Sequence, residues 1–164
     1  MVLPAVEWDL PDPFVIEVEV VADHIDEYDH TNNSVYLRWL DEIAWAHAGA
    51  VGAGRDIHQR ERRGMANHRT ELQFSAPAVL GDRLLVGDWI VHNDGRVRAW
   101  RRFQIVRPAD GATVLRAVTQ YVCIDIDSGR PKRFPQLYRA AYVVEPAVAA
   151  ALESERWPFA LKPG

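Results

Sequence analysis

The residues best suited to chemistry crowd into one short stretch, Asp26-Glu27-Tyr28-Asp29-His30-Thr31-Asn32-Asn33. An apolar-aromatic pattern at helical spacing follows at once: Val35, Tyr36, Trp39, Leu40, Ile43, Ala44, His47 and Ala48. Thr31, Asn32 and Asn33 are all N-cap types, able to accept from the orphan N–H groups of a first helical turn. Such a helix start presents free N–H donors and a partial positive charge. A carboxylate such as Asp26 beside those donors makes a site for attack on a polarised carbonyl. His30 can orient a substrate, act as an acid–base group or bond its own loop, and the residues alone leave these open. Asn32 and Asn33 read first as caps and loop-setters, and Glu27 and Asp29 as solvated.

Other reactive or charged groups are more dispersed. The run Arg96-Val97-Arg98-Ala99-Trp100-Arg101-Arg102 alternates as a strand would and predicts one solvated face. With Arg130, Lys132 and Arg133 it offers guanidinium and ammonium groups suited to phosphate oxygens. No base-stacking motif of the RNP kind accompanies it, and a net charge of −4 gives no global reason to expect nucleic acid. His58 and His68 are isolated, with no His-Glu-x-x-His or paired-Cys pattern, so neither a metal nor an organic cofactor is expected. The single Cys123, in the apolar run TQYVCID, reads as a buried, inert thiol and rules out an intrachain disulfide. Asp41 and Glu42 are adjacent and point in different directions at ~100° per residue, so one of them is expected to face solvent. Tyr36, Trp39, Ile43 and His47 are expected to pack into a sheet.

The elements that must position these groups follow from the pattern. Pro4, Pro11 and Pro13 mark an irregular lead-in, and Phe14 to Val21 alternates as a strand. The helix is expected over 32–50, ended by Gly49, Gly52 and Gly54. Strands follow at 66–75, 84–92, 97–106 and 113–126, separated by Gly81-Asp82, the hairpin signal Asn93-Asp94-Gly95 and Pro108-Ala109-Asp110-Gly111. The last three form an antiparallel meander, broken by Asp127 to Pro131. One or two short helices are expected over 135–152, interrupted near Pro146, before the Trp157-Pro158-Phe159 tail. One long apolar helix against about five strands is an α+β domain with the sheet wrapped on the helix. At 164 residues the chain suits a single domain 1–164, core about 14–138 and helical tail 135–160. No apolar run approaches the ~20 residues of a membrane span and no signal pattern opens the chain, so a cytoplasmic protein is expected.

From Asp26 to Trp39 the sequence resembles the hot-dog-fold thioesterases, the 4-hydroxybenzoyl-CoA and acyl-carrier-protein thioesterase-like group. That family carries an Asp, three residues, often His-Val-Asn-Asn, then a Tyr three residues on. The matching residues are Asp26, His30-Thr31-Asn32-Asn33 and Tyr36-Leu37-Arg38-Trp39. Leu72-Gln73-Phe74-Ser75-Ala76-Pro77 with Gly81-Asp82 is similar to the family's strand and turn. Ser128 to Pro135 is similar to its exit from the last strand. Tyr28 stands where the plant acyl-carrier-protein enzymes have a catalytic Asn, so that role does not carry over, and Thr31 replaces the common Val.

The resemblance implies a hot-dog fold, hydrolysis of an acyl-CoA or acyl-carrier-protein thioester, and a homodimer or homotetramer with the site at the subunit interface. It implies Asp26 as nucleophile or general base, the Asn33 N–H as carbonyl polariser and His30 as a catalytic participant. Substrate contacts are then expected from Asn32, Tyr36, Arg101, Arg130 and Arg133. A hot-dog dehydratase is disfavoured, because Thr31 stands five residues after Asp26 where that family has His and no Pro-Gly-Val segment exists. A non-catalytic acyl-binding protein is the remaining alternative.

Overall fold

The computed structural model describes residues 5–164; Pro4 of the expected lead-in lies outside them. The elements are β1 (Phe14–Glu19), α1 (Asn33–Ala50), α2 (Arg55–Glu61), β2 (Arg63–Phe74), β3 (Arg83–Asn93), β4 (Arg98–Arg107), β5 (Ala112–Asp125), α3 (Gln136–Ala141) and α4 (Pro146–Ser154). The strands form one five-stranded sheet in the order β1-β3-β4-β5-β2, every pairing antiparallel. The expected α+β architecture, a long helix wrapped by an antiparallel sheet, is what the chain adopts.

Each face of the sheet has its own covering. Helix α1 buries Val35, Tyr36, Trp39, Leu40 and Ile43 against Val86, Phe103, Ile105, Leu115 and Ala117. Each such side chain contributes about 1.5–3 kcal/mol when fully buried. The opposite face carries Trp89, Val91, Trp100 and Val118 and is covered by Leu10, Val148, Phe159 and Leu161. The lead-in and the tail are therefore packed parts of the structure. Trp89 Nε1 donates to the Pro11 carbonyl at 2.8 Å, and Gln104 binds the backbone of Glu7 and Asp9.

Two sequence expectations change. The glycines do not all end α1, which runs through Gly49 to Ala50; the turn is made at Gly52, with φ 85°. Helix α2 was not expected, because seven residues of mixed polarity carry too little periodicity; Gly54 caps it and Arg62 closes it in the left-handed conformation. The short helices expected over 135–152 are α3 and α4, which are separated just ahead of Pro146, and that proline sits in the first turn of α4.

Candidate active site

The segment between β1 and α1 folds into a tight loop that fixes Asp26 at the start of the helix. Ile25 and Thr31 form an antiparallel bridge. The Asp26 N–H donates to the His30 carbonyl at 2.8 Å, and the Asp29 N–H returns to the Asp26 carbonyl at 3.1 Å. Asp29 takes a φ of 60°, a conformation that Asp tolerates better than most residues. The Asn32 N–H donates to the His24 carbonyl at 2.8 Å, so the chain enters α1 already tethered on both sides.

Of the three cap-type residues, Asn32 is the cap. Its Oδ1 accepts from the Ser34 N–H at 2.9 Å and from the Ser34 hydroxyl at 2.8 Å. The Asn33 N–H, at the first helical position, donates to nothing among the described residues. Thr31 is buried, and both its N–H and its hydroxyl donate to the Ala78 carbonyl, at 2.8 and 3.0 Å. It thereby ties the loop to the segment after β2. Arg107 braces that segment, donating to the Pro77 carbonyl and pairing with Asp82.

Asp26, His30, Asn33 and Tyr36 line one open cleft, whose opposite wall is Phe74 to Pro77. Asp26 is half-buried, and its Oδ1 accepts from the Tyr28 N–H at 2.9 Å, which fixes the carboxylate's orientation. The His30 side chain is exposed and makes no hydrogen bond among the described residues. Tyr36 is buried, with its ring edge-on to Trp39 and Phe74. Burial pushes its phenol up, outweighing the opposing hydrogen bonds, so it remains protonated at neutral pH. Asp26, His30 and Asn33, whose N–H is unpartnered among the described residues, thus line one cleft with the aromatic rings of Tyr36 and Phe74. Tyr28, 81% exposed, stands at the cleft's rim.

The basic groups are placed differently from one another. Arg130 and Arg133 are exposed beyond the end of β5, by the start of β2, whereas the cleft adjoins the end of β2. Arg101 corrects the expectation of a solvated arginine face. It is buried beneath α1, where its Nη1 pairs with Asp88 and lies 2.9 Å from His47 Nδ1. Burial opposes the guanidinium charge, and the Asp88 carboxylate together with the neighbouring Tyr121 and Tyr142 outweighs that effect. Arg102 is buried on the other face, paired with Glu155. Neither offers a surface phosphate site. Sequence reasoning missed Asp88; its signal was an acidic residue inside an apolar strand, one hairpin away from a basic residue of the same face. Asp41 and Glu42 are both exposed. Cys123 is fully buried, and that burial raises its thiol to about 11. No cluster of metal-ligating side chains exists among the described residues, and no helix is long and apolar enough to cross a membrane.

Comparison with known proteins supplies a frame for this geometry. The family model described as thioesterase-like superfamily matches residues 20–152. A curated relative, the long-chain acyl-CoA thioesterase FadM of Escherichia coli K12, is 27% identical over 117 residues, covering 67% of this chain and 82% of that protein. Slr0204, a 1,4-dihydroxy-2-naphthoyl-CoA thioesterase from Synechocystis, superposes with a TM-score of 0.71 at 22% identity, covering 80% of this chain and 96% of that one. SAV2348 of Staphylococcus aureus, a protein solved in complex with CoA, gives 0.76 at 15% identity, covering 94% and 96%.

Proposed function

Because the chain belongs to the thioesterase-like superfamily and has its hot-dog fold, we propose that it hydrolyses an acyl thioester of coenzyme A at the Asp26 cleft. The observation that carries this reading is one cleft lined both by an oriented carboxylate and by the residue with an unpartnered helix-start N–H. Thioester hydrolysis needs an oxyanion donor and a group that attacks or activates water. The Asn33 N–H is the donor. Asp26 either attacks the carbonyl carbon, giving an acyl anhydride that water opens, or takes the proton of the attacking water; both routes use the same carboxylate. His30 supplies a proton to the departing thiolate. Asn32 acts through the helix start that it caps, Tyr36 floors the acyl entrance, and Arg130 and Arg133 meet the phosphates of coenzyme A.

A homodimer formed by antiparallel pairing of two β2 strands is part of the reading. Strand β2 is a sheet edge with one row of backbone groups unpaired, and it is exposed over Asn67 to Thr70, the condition that invites pairing with another chain. In such a dimer Arg130 and Arg133 of one copy approach the cleft of the other. The test is free-thiol release from a panel of aliphatic and aromatic acyl-CoAs, with an acyl-carrier-protein thioester alongside. Asp26→Asn is expected to lower kcat by about 10²–10⁴-fold with the oligomer and fold intact. Turnover unaffected by this change removes Asp26 from the chemistry; turnover of the carrier-protein substrate alone replaces coenzyme A as the carrier.

A further inference from the structure

Beneath the C-terminal half of α1, between that helix and the sheet, lies a second and separate cavity. Its apolar walls include Trp45 and Ile90, and four polar side chains also face it: His58, Arg101, Tyr121 and Tyr142. All four are more than nine-tenths buried, at 5%, 3%, 7% and 4% exposure. One of them has a buried polar atom with nothing to bind. His58 Nε2 has no partner, and burial lowers the imidazole so that it is neutral at pH 7. Arg101 pairs through Nη1 with Asp88 and His47, and its guanidinium lies over the Tyr142 ring at 5.5 Å. A buried polar atom left without a partner costs about 1–3 kcal/mol, so His58 Nε2 marks a place where a bound group would be stabilised.

Charge and size narrow what fits. The Arg101 charge is already met by Asp88, and the Asp41 carboxylate stands at the rim. A further anion faces two carboxylates against one guanidinium, which selects a neutral group that can both donate and accept. The space is about 40 Å³, room for roughly three water-sized groups at ~10–15 Å³ each. That admits a slender chain end and excludes a phosphate or a bulky head group. The cavity continues through Trp45, His58 and Met65 into a surface groove along α2 and the start of β2.

We propose that this cavity holds the hydroxylated end of an acyl chain, so that the protein prefers ω-hydroxyacyl thioesters to plain alkyl ones. The proposal rests on the thioesterase reading and on the β2-paired dimer. Met65 and Phe74 are nine residues apart on β2, about 30 Å, so a protomer's own cleft is remote from its own cavity. Antiparallel pairing about the exposed middle of β2 sets Met65 of one copy beside the Leu72–Phe74 end of the other. A chain held at one copy's Asp26 thus enters the other copy's cavity.

The test compares kcat/KM for ω-hydroxyacyl-CoA and acyl-CoA of matched lengths in wild type and in Tyr121→Phe/Tyr142→Phe, which keeps both rings. Wild type favours the hydroxylated series, and the double variant lowers that ratio about tenfold or more, the loss of one or more net hydrogen bonds. An unchanged ratio overturns the proposal. A second arm needs no turnover: 1-butanol is titrated while the Met65 methyl resonance is followed. The wild type saturates and the variant binds several-fold more weakly; equal binding overturns the site even if every thioester is hydrolysed. If nothing is hydrolysed, the thioesterase reading falls and the butanol arm alone decides for or against a hydroxyl-binding cavity.

Discussion

Removing the Arg101 guanidinium while keeping its bulk, as in Arg101→Met, leaves Asp88 buried with only His47 beside it. Breaking a buried ion pair from one side costs about 3–5 kcal/mol, so chemical denaturation of this variant is expected to show a loss of that size. The double change Arg101→Met/Asp88→Leu recovers much of it, because no charge is then stranded. At this scale the sequence was legible where the chemistry is local. The order Asp26, His30, Asn32, Asn33 and its position before an apolar helix identify a carboxylate near free N–H groups. It was illegible where partners meet through tertiary structure. Arg101 belongs to a run that reads as a solvated edge, and only the β3–β4 pairing and the packing of α1 on the sheet bring it to Asp88 and His47.

Elements depend on close contacts that single residues permit. Gly87 lies in the middle of β3, and a Cβ there meets the Trp8 ring at 2.7 Å. Gly87→Ala therefore displaces Trp8 from the sheet and from Trp89, which it meets edge-on at 5.8 Å. Loss of stability of about 1–3 kcal/mol, the usual range for overpacking, is expected, with a change in tryptophan fluorescence. Thiol release at the Asp26 cleft, which Trp8 does not line, is expected to persist in the folded variant. The strands and α1 were readable because alternation and helical spacing are long-range signals within each segment. Helix α2 and the packed lead-in were not, since seven polar-apolar mixed residues and a proline-rich arm take their order from what they lie against.

Over the whole molecule, one carboxylate joins the tail to the sheet. Glu71 on β2 accepts from the Leu161 N–H at 2.8 Å, and its neighbour Gln73 donates to the Pro158 carbonyl at 2.9 Å. The Leu161 N–H is the main cause that holds the Glu71 carboxyl below the usual carboxylate range. A carboxyl lowered in the folded state lends its stabilisation fully above the unfolded value of about 4.3 and loses it as pH falls through the lower folded value. Acidification below about pH 4 is therefore expected to loosen the tail, read from Trp157 emission. In Glu71→Gln the loosening is present at neutral pH and that acid step is absent. A tail that stays docked in Glu71→Gln at pH 7 refutes the anchor.

Thr31 donates twice to the carbonyl of Ala78, joining the floor of one bank of the cleft to the root of the other. The two banks cannot part without breaking both bonds, and a mouth that is already open has nothing to swing. Under the thioesterase reading, substrate capture at this cleft is expected to proceed without a hinge motion of these two segments.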